Sequence, residues 1–221
     1  MKKLLWVFPL LILMGGLCVT AQAEHVTIIP EGMEPAAPDQ GVLPVPCDIL
    51  LRYDDGTDDT PGSGSTLGGP SAPYQYLGII ATPPADVSYE VQSAAFWSEF
   101  WVTAGVVNVE VFEMSDPTNA TSATVTVNNG GTWEVEFDAP ICVGPGSDFA
   151  VMLCPDPGVW GVTGEDLSAP DGRSYWSTST QGCFPTTQFT NQDFLIWACV
   201  TPCEPTPTEE SSWGSVKSLY R

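Results

Sequence analysis

The sequence predicts an all-β domain, built as a two-sheet antiparallel β-sandwich or jelly roll of eight to ten strands and stabilised by disulfides. Short alternations of apolar and polar residues recur along residues 47–203, turn residues separate them, and no helical period is sustained. Since each such strand has one apolar face to bury, the strands are expected to pack as two layers.

The strands are predicted where the two-residue period is clearest. "VVNVEVFEM" places Val107, Val109 and Val111 on one face. "ATVTVNNGG" gives a short strand, and its Asn-Asn-Gly-Gly end predicts a tight hairpin into "TWEVEFD" because glycine and asparagine supply the backbone angles such turns need. Further strands are expected at residues 48–53, 74–80, 91–101, 148–154, 173–177 and 193–201.

One predicted strand, "SAAFWSEFW", has aromatic residues on both faces. Strict alternation directs Phe96 and Phe100 to one side and Trp97 and Trp101 to the other, with Glu99 beside them. Such a strand is either covered on both sides or exposes a platform of rings on which sugars stack. In the second interpretation the ligand-binding candidates are Trp97, Trp101, Trp160, Tyr175 and Trp176.

The first 23 residues have the layout of a secretory signal peptide. Lys2 and Lys3 precede an apolar run over residues 4–17, and Ala21-Gln22-Ala23 resembles a cleavage site. A membrane anchor is disfavoured because the run is shorter than the ~20 residues a spanning helix needs, and lipidation at Cys18 is disfavoured by Leu17 before it. We expect Sec-type export to the cell surface, the medium or the periplasm of a Gram-negative bacterium, with no membrane span in the mature chain.

Four further segments follow the signal peptide. Residues 24–46 form a proline-rich leader, residues 47–203 the sandwich domain, residues 204–211 a Pro/Thr/Glu linker, and residues 212–221 a short amphipathic tail. The spacing of Trp213, Val216 and Tyr220 gives the tail an apolar stripe, and Lys217 and Arg221 suit the C-terminal end of a helix. The tail is either a frayed end or a recognition element for a sorting or cell-envelope partner.

The cysteines are expected to form disulfides. Without Cys18 an even set of six remains, and no C-x-x-C pair points to zinc. Spacing alone does not fix the pairing. Adjacent first and last strands favour a bond from Cys47 to either Cys199 or Cys203. The six residues are Cys47, Cys142, Cys154, Cys183, Cys199 and Cys203.

The charge and the inventory of reactive side chains restrict the function. Residues 24–221 hold four basic residues against 27 acids, so their net charge is 4 − 27 = −23, which repels nucleic acid and anionic membranes. The one histidine, His25, lies in the leader, so histidine-dependent nucleophilic catalysis is not expected. Carboxylates such as Glu99 and Asp166 are too numerous to mark a hydrolase pair. We therefore expect no enzymatic activity.

An acidic loop follows the first predicted strand. "YDDGTDDTPGSGSTLGGP" at residues 53–70 offers oxygen ligands of the kind that calcium takes, from Asp54, Asp55, Asp58 and Asp59. The EF-hand pattern fails, because Gly56 stands at the third position and no glutamate closes the loop. Asp86, or Asp166 with Asp171, could complete a calcium site in space. The alternative is a solvated loop without a cation.

Three motifs resemble a known group of proteins. "Y-D-D-G-T" after a first strand, "G-S-D-F-A-V-M-L" at residues 146–153 and the terminal "W-G-x-x-K-x-L-Y-R" are similar to uncharacterised β-sandwich domains of exported bacterial proteins. The resemblance implies a secreted or surface-displayed sandwich and carries no catalytic residue. Asp58 and Asp59 stand where the group has a Glu-Asn pair. The predicted function is a non-enzymatic binding or structural domain whose tail serves sorting or attachment, with a calcium-holding carbohydrate-binding module as the alternative.

Overall fold

The computed structural model describes residues 48–54, 58–168 and 170–203, and its secondary structure there is entirely β. The predicted all-β antiparallel fold is confirmed. The strands outnumber the eight to ten expected, because several are only two to four residues long. They are β1 Ile49–Leu51, β2 Ser65–Gly68, β3 Gln75–Ala81, β4 Tyr89–Thr103, β5 Gly105–Glu113, β6 Ala120–Val127, β7 Gly131–Val143, β8 Phe149–Pro155, β9 Trp160–Thr163, β10 Glu165–Asp166, β11 Ser174–Thr178, β12 Thr187–Gln188, β13 Asp193–Phe194 and β14 Ile196–Pro202.

The strands form two layers joined along one edge. The first half of β4 lies between β14 and β7, and β1 pairs with β14. In the other layer β3 lies between β8 and β11, with β5 and β6 beyond β8 and β12 beyond β11. The second half of β4 pairs with β9, and β9 pairs with β2. β2 in turn pairs with β3 at one position, Gly68 with Gln75. The main sheet therefore curls over onto itself around one core.

The core fills the space between the layers. The inward side chains of β5 and β8 are buried as the alternation predicts: Val107, Val109 and Val111 face the same core as Val151 and Leu153. The outward residues of β8 are buried too, since Met152 and its neighbours pack with Ile80 and Phe112 in a second cluster. Strand β8 is thus covered on both faces.

Two local predictions fail. β6 and β7 do not form a hairpin ladder, because β6 pairs with β5 and β7 with β4, so the Asn-Asn-Gly-Gly turn carries the chain from one layer to the other. The second failure is in β4, whose register shifts between Ser98 and Phe100. This bulge breaks the alternation: Trp101 joins the main core, whereas Trp97 packs against Ala95, Leu195 and Trp197.

Disulfides tie distant parts of the fold together. Cys142 on β7 is bonded to Cys203 after β14, and Cys154 on β8 to Cys183 after β11. Cys199 is also disulfide-bonded. The expected alternative of Cys47 with Cys203 is wrong, because Cys142 occupies Cys203. Cys47 lies outside the described residues, so its pairing with Cys199 stays a prediction.

The predicted signal peptide, leader, linker and tail all lie outside the described residues. In residues 48–54, 58–168 and 170–203, no helix has the length and apolar character needed to cross a membrane.

Candidate functional site

The described aspartates of the acidic loop have separate hydrogen-bond partners. Asp54 accepts a hydrogen bond from the Trp197 indole at 2.6 Å and forms an ion pair with Arg52. Asp59 is exposed, and its Oδ2 accepts from the Leu167 backbone N–H at 2.9 Å. Asp55 lies outside the described residues. Asp54, Asp58 and Asp59 do not form a group of three close ligand atoms among the described residues, and the four-aspartate calcium loop stays a prediction because Asp55 is one of its members.

Asp58 is the member of the loop that turns inward. Its Oδ1 accepts from the backbone N–H groups of Thr60 at 3.0 Å and of Glu165 at 3.3 Å, whereas its Oδ2 is buried without a partner. Burial raises the pKa of this carboxyl, and the amide hydrogen bonds and the nearby Trp97 indole partly offset that rise. Asp58 is held in place through Oδ1, and its Oδ2 has no hydrogen-bond partner beyond the nearby Trp97 indole.

Glu99 reaches the same loop from strand β4. It lies at the β4 bulge, and its side chain is among the largest fully buried ones, with 1% exposure. Its Oε2 accepts from the backbone N–H of Gly62 at 3.1 Å, and its Oε1 has no hydrogen-bond partner. A fully buried carboxylate with a free oxygen is unusual, because burying an unpaired charge is costly.

Glu165 adjoins Asp58 and is better satisfied. It is buried, and its Oε1 accepts from the Gln192 side chain, which also donates to Ser65 Oγ at 3.0 Å. Burial raises the pKa of Glu165, and the nearby charge of Asp58 raises it further. The region between loop 58–63 and β10 thus concentrates negative charge in a place of low solvent access.

A second group of acids lies along the β10–β13 pair. Asp193 is 1% exposed and lies opposite Asp166 in the ladder. It accepts from the Asp171 backbone N–H at 3.0 Å and from Ser174 Oγ at 3.3 Å. Burial raises the pKa of Asp193 to about 6, with the charges of Asp171 and Asp166 adding to the rise. Asp166 and Asp171 therefore gather around Asp193, while Asp86 accepts from the Tyr89 hydroxyl instead.

The basic residues of the described chain lie elsewhere. Arg52 pairs with Asp54, and Arg173 with Asp148 at 3.4 Å. Arg52 and Arg173 are the only lysine, arginine or histidine residues among the described ones. Within that part of the structure, neither Asp58 nor Glu99 nor Glu165 has a protein cation to balance it.

Residues 48–54, 58–168 and 170–203 do not form a conventional cluster of three acidic metal ligands. The one group of potential ligand atoms within 4.8 Å of one another, among the described residues, is Glu110 with Cys154 and Cys183. Those two cysteines form a disulfide and offer no thiolate. Any cation beneath the acidic loop would therefore rely on backbone carbonyl oxygens and water beside at most two carboxylates from this part of the chain.

The aromatic candidates are not displayed as a platform. Trp97 and Trp101 are 1% and 4% exposed, so their rings face the interior. The Trp101 indole donates to Ser98 Oγ at 2.9 Å. Trp160, Tyr175 and Trp176 are half-buried. The prediction that Trp97 and Trp101 belong to an exposed sugar-binding surface fails because both β4 faces are covered.

The C-terminal recognition candidates, Trp213, Val216, Lys217, Tyr220 and Arg221, lie outside the described residues. Sequence reasoning missed Glu165 and Gln192, which only the fold brings beside the loop. Glu99 could have been identified as a site residue from the sequence, because it is a charged residue within a run of aromatic ones.

No protein-family model and no curated protein matches this chain.

Proposed function

We propose that this chain is an exported, non-enzymatic binding or structural domain of a Gram-negative bacterium, attached or sorted through its C-terminal tail. The observation that carries the proposal is the set of disulfides, Cys142–Cys203, Cys154–Cys183 and the bond to Cys199. Disulfides persist in oxidising compartments outside the cytoplasm. The signal-like sequence at residues 1–23 supports the same location.

The arrangement of the acids supports a structural rather than a catalytic role. Asp58, Glu165 and Asp193 accept hydrogen bonds from backbone or side-chain groups of neighbouring segments. Each of them thereby fastens a loop or short strand to its neighbour. A hydrolytic pair would instead need two carboxyl groups facing a substrate across a cleft.

The tail supports attachment by its chemistry. Residues 212–221 carry two of the four basic residues found after residue 23, on a chain that is otherwise strongly acidic. A basic, amphipathic segment on a proline-containing tether is suited to a partner of complementary charge.

The test is to express the full chain and a chain lacking residues 212–221 in a Gram-negative host with its own export machinery. A matched control keeps the length but replaces Trp213, Val216 and Tyr220 with serine. We expect full-length protein on the cell surface and both altered chains to be released or retained in the periplasm. Identical surface retention of all three would refute the role of the tail.

The carbohydrate-binding alternative has less support. A platform would have to be formed by Trp160, Tyr175 and Trp176, which are half-buried. Trp176 packs against the main core and the Phe189 ring, 6.4 Å between centroids. Glycan-array binding that is lost on Trp160→Ala would favour this alternative.

A further inference from the structure

We infer that the loop of residues 58–63 covers a site for one calcium ion, with Asp58 Oδ2 and Glu99 Oε1 as its two carboxylate ligands. This inference does not depend on the proposed export or attachment function. It rests on the oxygens that the fold buries and leaves unpaired.

Two buried carboxylate oxygens lack hydrogen-bond partners at this loop. They are Asp58 Oδ2 and Glu99 Oε1, and the Glu99 side chain is 1% exposed. Buried polar atoms in folded proteins are normally satisfied by protein groups, ordered water or ions, and an unpaired buried charge is the most costly case. The Trp97 indole compensates Asp58 in part, whereas Glu99 Oε1 has no such donor and requires a cation or a proton.

The two carboxylates come from different parts of the fold, one from the loop and one from β4. Asp58 begins the loop, which closes on itself through the Ser63 N–H to Thr60 carbonyl bond at 2.8 Å. The Glu99 side chain extends from β4 and accepts a hydrogen bond from the Gly62 backbone N–H of the loop. Trp97, two residues before Glu99, lies close enough to Asp58 to affect its carboxyl group. Both acids thus lie against the loop of residues 58–63, Asp58 as its first residue and Glu99 through Gly62.

The partner oxygens hold the two ligands in position. Asp58 Oδ1 is fixed by the Thr60 and Glu165 amides, and Glu99 Oε2 by the Gly62 amide. Each carboxylate therefore uses one oxygen to hold the fold and leaves the other free. This is the division of roles expected of ligands positioned before the ion binds.

The chemistry of the site favours calcium over other partners. The donors are hard oxygens, and the nearby buried Glu165 adds further negative charge. Calcium accepts carboxylates, backbone carbonyls and water in flexible geometry, whereas zinc prefers cysteine and histidine and magnesium demands a near-ideal octahedron. With only two carboxylates, the affinity should fall in the weak range of extracellular calcium modules, Kd about 10⁻⁴–10⁻³ M.

The test is calorimetric and thermal titration of the chelator-treated full chain with CaCl₂ up to about 10 mM at constant ionic strength, with MgCl₂ in parallel. We expect saturable calcium binding and a rise in Tm of about 2–6 °C, with a smaller effect of magnesium. Glu99→Gln and Asp58→Asn should weaken calcium binding at least tenfold. The matched controls Glu136→Gln and Asp138→Asn change exposed acids on β7 and should bind as the unaltered chain does.

Glu99→Gln keeps the test decisive if Asp58→Asn folds poorly. Removing a buried charge should leave Glu99→Gln at least as stable as the unaltered chain in chelator, so its lost calcium response would not reflect unfolding. Absence of heat and of any Tm shift at 10 mM calcium would overturn the site in favour of a protonated pair. An equal response retained by Glu99→Gln and Asp58→Asn would also overturn it, because binding would then lie on the acidic surface.

Discussion

The buried acid Asp193 should make the stability of the fold depend on pH in a defined direction. Its pKa rises from the usual 3.8 to about 6, chiefly because of burial. Between these values the unfolded chain has already lost the proton that the folded chain still holds, so the free energy of unfolding falls as pH rises. Below pH 3.8 and above pH 6 this group adds no further slope.

The magnitude follows from the difference between the two pKa values. Since each unit of pKa difference corresponds to 1.36 kcal/mol, the free energy of unfolding would fall by about 3 kcal/mol in full. Solvent screening beside the exposed Asp171 reduces the expected fall to about 2 kcal/mol. Asp193→Asn removes the titration and keeps the shape of the side chain. Between pH 4 and pH 7 the free energy of unfolding of the variant should therefore rise by about 2 kcal/mol relative to that of the unaltered chain.

The assay is urea unfolding at pH 4, 5, 6 and 7 in calcium-free buffer, followed by tryptophan fluorescence. At each pH the free energy of unfolding of the unaltered chain is subtracted from that of the variant, and the trend of this difference with pH is the result. The hydrogen-bond acceptor that Ser174 and Asp171 lose costs a similar amount at every pH, so it does not affect the trend. Asp138→Asn, an exposed acid on β7, is the control and should show no such trend. Parallel pH profiles for Asp193→Asn and the unaltered chain would refute the reasoning.

Two further predictions concern stability. The Cys154–Cys183 bond closes a sequence separation of 29 residues, so replacing both cysteines with serine should lower the free energy of unfolding by about 3.5 kcal/mol. The Cys142–Cys203 bond closes a separation of 61 residues, and its removal should lower the free energy of unfolding by about 4 kcal/mol. Denaturant unfolding that shows a loss below about 1 kcal/mol for both pairs would contradict this. A Cβ at Gly130 would lie 2.0 Å from the Glu99 backbone carbonyl, so Gly130→Ala should lower the free energy of unfolding by more than about 2 kcal/mol. A thermal scan showing Gly130→Ala unchanged would mean that the turn does not pack on the β4 bulge.

The sequence predicted the long strands well because their burial follows local alternation. It did not predict β2 and β9, since "STLG" and "WGVT" are too short and glycine-containing to show a period. The bulge at Glu99 was equally hidden, because a register shift depends on the partner strand β9 rather than on β4 alone. The local pattern therefore identified the strands but not how they join.

The candidate site was predictable only in part. The acidic loop was visible as a cluster, and Asp58 was among its members. Which aspartate turns inward depends on Glu165 and Glu99, which are distant in sequence and come to the loop through the curled sheet. The pairing of Cys142 with Cys203 is of the same kind, because spacing does not determine connectivity.

The most direct test of the proposed function is the location and thiol state of the protein in its native host. Cells are lysed in excess maleimide without reductant and separated into cytoplasmic, envelope and extracellular fractions, and the protein in each is identified by mass spectrometry with and without reduction. We predict protein beginning at Glu24 in the surface or extracellular fraction, with its six remaining cysteines protected from labelling until they are reduced. Protein in the cytoplasm that retains residues 1–23 and carries free thiols would contradict the proposal.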